Sequence, residues 1–208
     1  MPVLARQIAR VCVFLAAILT FLIVSRYLTL NPSVYFPEQS ETYQSHQTSL
    51  LLHVVSGMTA IILGPFQFIQ GLRTRFLTLH KVTGRVYVVA CVTGAGAGMV
   101  MATRAFGGFP SSAGFGMLAA LWLTTVVLAV TRVRQGNIER HREWMIRSYA
   151  LTLAAFSFRM ILTVHGVLEA TEIIKTPYVS AYQATAWLCW VPNLLIAECY
   201  INATRDTT

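Results

Sequence analysis

The sequence predicts an all-α fold, a polytopic membrane protein built as a six-helix transmembrane bundle. Three observations predict it. Hydrophobic residues make up 55% of the 208-residue chain and charged residues only 12%, against about 25% charged in a soluble domain. Six apolar segments approach or exceed the roughly 20 residues that a helix needs to cross a hydrocarbon layer. The basic residues, 16 Lys and Arg against 8 Asp and Glu, lie between apolar runs and in alternate loops. That distribution orients helices in a membrane; it is not the exposed basic face of a nucleic-acid binder.

The expected spans are 8–29, 49–70, 83–104, 113–132, 144–168 and 178–201, connected by short loops that leave no room for a soluble domain. The whole chain, 1–208, is read as one transmembrane unit. The first run, Val11–Val24, follows Arg6 and Arg10 in the manner of a signal peptide. No small-x-small cleavage site follows it, and Arg26-Tyr27 suits an interfacial anchor, so it is read as a retained span. The second span contains Gly64-Pro65 and then Gln67; a proline there should kink the helix and free a carbonyl. The third contains TGAGAGM, with Gly94, Gly96 and Gly98, small residues that let helices approach closely. The sixth contains Pro192-Asn193, a second expected break. The loops carrying Arg73, Arg75 and Lys81, and Arg132, Arg134, Arg140 and Arg142, stand on one side with both termini. The loops NPSVYFPEQSETYQSHQ, AFGGFPSS and EATEIIKTP stand on the other. The bilayer is the expected surroundings, the bacterial inner membrane the expected location, and the basic side the cytoplasmic one.

Ionisable groups at membrane depth are expensive and face a partner, a cavity or a cofactor. His141–His165 carries most of them. Counting from the ends places His53 and His165 near the outer face, and His80 and His141 just before outward-running helices at the inner face. His46 is solvated in the outer loop. Two imidazole pairs, one near each face, are what two b-type haems would need as axial ligands. This arrangement resembles, in outline, the six-helix two-haem transmembrane cytochromes b, including ascorbate-dependent ferric reductases. It departs from them because His141 and His165 share one helix, 24 residues apart, or roughly 36 Å. The plainer alternative makes the histidines interfacial hydrogen-bonding residues. Arg147 and Glu198 fall at matching depth and are expected to pair. Arg159 has no acidic residue at its level, so it needs carbonyls, water or an anionic ligand such as a haem propionate, a quinone oxygen or a lipid phosphate. Cys12, Cys91, Cys189 and Cys199 lie in apolar runs, without the spacing of a disulfide framework or a zinc site.

Four blocks, HVVSGMTAIILGPFQF from His53, LHKVTGRVYV from Leu79, HREWMIRSYALT from His141 and WLCWVPNLLIAE from Trp187, resemble a widespread bacterial family of predicted membrane proteins of unknown function. The resemblance implies that His53, Gly64, Pro65, Gln67, His80, Gly84, Arg85, His141, Arg147, Asn193 and Glu198 belong to the family pattern. His165 lies outside it. Two functions remain open at this point. One is a small redox protein holding haem b through His53, His80, His141 and His165. The other is a non-enzymatic carrier, assembly factor or partner subunit that binds a lipid, a quinone or another small hydrophobic ligand.

Overall fold

The computed structural model describes residues 3–205, and it is a bundle of helices. Six stretches are long and apolar enough to cross a membrane: Gln7–Thr29, Gln47–Gln67, Leu77–Ala102, Phe109–Arg134, Ile138–Ala170 and Tyr178–Arg205. The first is α1 (Val3–Ser25), extended by a short 3-10 turn. A one-and-a-half-turn helix, α2 (Ser40–Ser45), leads into the second span, α3 (Gln47–Gln67). A short basic helix, α4 (Gln70–Arg75), precedes α5 (Leu77–Ala102), and α6 (Phe109–Arg134) follows. The fifth span is α7 (Ile138–Thr152) plus α8 (Ala154–Ala170), and the sixth is α9 (Tyr178–Leu188) plus α10 (Val191–Arg205).

Helix α3 packs between α1 and α5. Helix α6 packs against α5 on one side and against α7 and α9 on the other, and α10 lies on α7. The outer part of the ring closes where α1 touches α8. The turn between α6 and α7 is tight because Gly136 takes φ +76°, a conformation costly to any residue with a Cβ. Asn137 then caps α7 by accepting the Arg140 N–H at 3.0 Å.

Helices on the basic face begin earlier than expected. Helix α5 starts at Leu77 and α7 at Ile138, so His80 and His141 stand inside helices and not in the loops before them. The sequence count followed apolarity, but a helix continues past the hydrocarbon edge for as long as its backbone bonds are made.

Pro65 stands in the last turn of α3, and the helix ends two residues later, at Gln67. The carbonyl it frees, that of Ile61, accepts the Tyr149 hydroxyl at 3.1 Å. Gly64 makes room for that ring, since a Cβ there would stand 2.1 Å from the Tyr149 ring. One turn further, Gln67 Nε2 donates to Thr83 Oγ1 at 2.8 Å, and Gly84 lies against the Gln67 amide. The GPxQ block, Gly84 and Tyr149 therefore form one interlock of α3, α5 and α7.

The break in the fifth span carries no proline and was not expected. Asn193 explains it. Its Nδ2 donates to the Ala150 carbonyl at 3.3 Å, the acceptor that residue 154 would use in a continuous helix, and to the Cys189 carbonyl at 3.0 Å. Its Oδ1 accepts the Ser157 hydroxyl at 3.1 Å. One side chain thus stitches the interruptions of the fifth and sixth spans together at the same depth.

Candidate functional site

The two broken spans flank a chamber of about 250 Å³ in the half of the bundle away from the basic face. Its walls come from α1, α3, α5, α6, α8 and α9 and are mainly apolar, with Met58, Phe115, Leu118 and Phe158 among them. Its floor is a buried hydrogen-bond network. Trp122 Nε1 donates to Thr152 Oγ1 at 3.0 Å, and the Tyr87 hydroxyl lies 3.0 Å from Ser148 Oγ and 3.2 Å from Thr152 Oγ1. These groups satisfy one another and make no demand on a ligand.

The roof is the first loop. Tyr27, Tyr35 and Tyr43 pack together with centroids 5.6 to 6.0 Å apart, and Phe36 stacks on Tyr182 at 5.4 Å. The loop read as polar in sequence is therefore an aromatic cap. Tyr27, Tyr43 and Tyr182 reach the chamber. Burial pushes the Tyr43 hydroxyl well above its ordinary value, so it stays a neutral donor.

His53 and Arg159, both in the chamber, keep hydrogen-bonding capacity that the protein does not use. His53 Nδ1 lies 2.8 Å from the Gly94 carbonyl. A carbonyl can only accept, so Nδ1 carries the proton, and in the neutral ring Nε2 keeps its lone pair. The ring fits because Gly98 lacks a side chain: a Cβ there would meet His53 Cε1 and Nδ1 at 3.0 Å. Two of the three glycines in TGAGAGM thus serve α3, Gly94 against Ser56 and Gly98 against His53. The second polar group is Arg159. It donates one hydrogen bond, to the Ala155 carbonyl of its own helix at 2.6 Å. Among the described residues no carboxylate pairs with it, and it shares the chamber with His53, Tyr27 and Tyr43.

The other histidines stand elsewhere. His165 is buried beside Tyr178 and does not line the chamber; neither ring nitrogen has a hydrogen-bond partner, and Glu169 Oε2 is 3.8 Å from Nδ1. His80 and His141 come within electrostatic range of each other at the basic face, with Arg73 also acting on His80. His141 Nδ1 is held by the Ala129 carbonyl at 2.9 Å, and His80 Nδ1 is buried without a partner. Neither histidine lines the chamber. His46 lies in the first loop, with Nδ1 2.9 Å from the Ser45 hydroxyl.

The basic half carries a separate ion network. Arg147 donates to both oxygens of Glu198, at 2.5 and 2.8 Å, with its guanidinium 4.5 Å from the centroid of the Trp144 ring. Glu143, only 4% exposed, accepts from Arg205 at 2.5 and 2.7 Å and lies 3.9 Å from Arg147. Glu143 escaped the sequence reading because α7 extends through a stretch that reads as a charged loop, and Arg205 because α10 runs past the expected end of the sixth span. Tyr43 and Tyr182 escaped it because apolar counting is blind to a loop folding back over the bundle; the recurrence of Tyr27, Tyr35 and Tyr43 was the available signal.

The chain belongs to a family described as predicted membrane protein (DUF2306), whose model matches residues 50–201. No curated protein and no solved structure matches it.

Proposed function

We propose that this is a ligand-binding membrane protein, a carrier or partner subunit, that holds the head of a small lipophilic molecule in the chamber under the first loop. One observation carries the reading: Arg159 is a guanidinium within a membrane span that has no anionic partner among the described residues and opens onto an apolar chamber of about 250 Å³. A cation kept in that position at a cost implies a ligand acceptor atom. Arg159 donates to an anionic or carbonyl oxygen of the head, and His53 Nε2 accepts from a hydroxyl. A quinone and its hydroquinone present both kinds of group on one compact ring. In the orientation that the loop charges favour, the basic face is cytoplasmic, as it would be in a bacterial inner membrane, and the chamber lies in the outer leaflet.

The haem b reading has weaker support. A bis-imidazole haem needs two histidines on one iron, and the chamber wall includes only His53. His80 and His141 remain the pair to which a haem at the basic face would have to bind.

Purification in native-lipid discs separates the readings. Mass spectrometry of the extract should find a quinone or similar single-headed lipophile enriched with the wild type and absent from Arg159→Leu. A reduced-minus-oxidised Soret band that survives Arg159→Leu and disappears in His80→Ala would overturn the proposal in favour of haem.

A further inference from the structure

A groove of about 370 Å³ runs along the seam between α1 and α3 on the bilayer side, with Phe21, Leu28, Val55, Met58 and Ile62 in its walls. Phe21 and Met58 also line the chamber, so two side chains are shared by both spaces. The groove is apolar: its single hydroxyl, on Thr59, is spent on the Val55 carbonyl at 2.8 Å. Nothing stands within 4 Å of where a Cβ on Gly57 would lie, on the chamber side of the same helix, so α3 leaves space there. Helix α1 is also the least enclosed of the six spans, with 17% of its most apolar stretch buried against 22% or more in the others.

Resting on the chamber reading above, we infer that the groove is the tail subsite of the same ligand: a single apolar chain lies between α1 and α3 while its ring sits between Arg159 and His53. The polar demands are all on the chamber side, and the groove offers only dispersion contacts. The ligand is therefore a one-headed, one-tailed molecule whose tail leaves its ring past Phe21 and Met58, the form of a prenylated or alkylated quinone. A lipid tail gains little by leaving hydrocarbon for hydrocarbon, so the subsite sets orientation more than affinity.

The test uses the full chain in lipid discs and two probes. The first is a tailless dimethoxy-methyl-benzoquinone, read by quenching of tryptophan fluorescence, since Trp122 lines the chamber. The second is the same ring with a ten-carbon tail ending in a diazirine, photolysed and mapped by peptide mass spectrometry. The expected result is saturable quenching by the tailless ring, lost in Arg159→Leu. The photolabel should fall on Leu28, Val55, Ile62 or their neighbours in the groove and drop at least fivefold under excess unlabelled decyl quinone. Saturable quenching with competed label on other helices, or with groove label that excess quinone leaves unchanged, overturns the tail subsite and leaves the chamber reading standing. Absence of saturable quenching by the tailless ring overturns both.

Discussion

Replacing Arg159 by leucine should not destabilise the protein, although Arg159 is an ionised residue inside a span. Among the described residues its guanidinium has one hydrogen bond, to the Ala155 carbonyl, and no carboxylate. A charge near the middle of a span costs ~2.5–3.5 kcal/mol on insertion scales, and one hydrogen bond from a charged donor returns ~1.5–3 kcal/mol. The difference leaves Arg159→Leu between neutral and ~2 kcal/mol more stable. Arg147→Leu should do the opposite. It strands Glu198 and removes a cation from buried Glu143. Breaking a fully buried pair costs ~3–5 kcal/mol. The Glu198 side chain is 38% exposed, so solvent screening lowers the expected loss to ~1–3 kcal/mol. Both variants are to be unfolded thermally in the same detergent after ligand has been stripped. Adding decyl quinone at a hundredfold excess over its dissociation constant should then stabilise the wild type by ~2.7 kcal/mol and leave Arg159→Leu unmoved. If stripped Arg159→Leu loses as much stability as Arg147→Leu, the guanidinium is a structural group and the chamber argument fails.

Gly64→Ala should lose ~2–6 kcal/mol, from overpacking of ~1–3 kcal/mol and from ~1–3 kcal/mol for the Ile61 carbonyl left unpaired. In a double-mutant cycle most of that penalty should vanish on a Tyr149→Ala background, and a penalty that persists there would place the clash elsewhere. Asn193→Leu should cost ~1–3 kcal/mol for each carbonyl it leaves unsatisfied, while Asn193→Gln recovers little because three partners at 3.0 to 3.3 Å fix the amide position; equal unfolding midpoints for Asn193→Leu and wild type would refute the stitch. A reporter fused after Thr208 should read as cytoplasmic and one inserted at Gln44 as external, and both on one side would mean that the number of spans is wrong.

The six spans were legible because lipid leaves few ways to satisfy a backbone, and apolar length reports directly on the way chosen. The freed carbonyl at Pro65 and the pairing depth of Arg147 and Glu198 followed from simple counting along helices. Counting gives depth but not azimuth. It placed His53 and His165 at one level, yet their side chains turn to different surroundings, and only His53 reaches the chamber. The break at Leu153 was illegible for a related reason. Its cause lies forty residues away, in an asparagine whose reach depends on how α10 docks on α7. The start of α7 before Trp144 was missed because charge density marks where lipid ends and not where a helix ends, which hid Glu143 from the interior it occupies.

The separation of scaffold from site suggests how such a protein could keep one frame and vary its ligand. The Gly64–Pro65–Gln67 interlock, the Asn193 stitch and the Arg147–Glu198 pair all lie in residues 50–201, the part that carries the family match, and they fix α3, α5, α7 and α10 without lining the chamber. His53 and Arg159 belong to that part as well and, on the chamber proposal, would supply the polar contacts. One side of the chamber wall comes from Thr20, Phe21, Val24 and Tyr27, and part of its roof from Gln39 and Tyr43, all of which precede the matched residues. Helix α1 is also the least enclosed span. Substitution there changes volume and shape at the chamber's side and roof with little consequence for the interlocks, because an apolar face turned to lipid makes no obligatory hydrogen bonds. On the chamber proposal, α1 and the first loop would tune the ligand's outline at one side and the roof, and α3 and α8 would read its polar atoms.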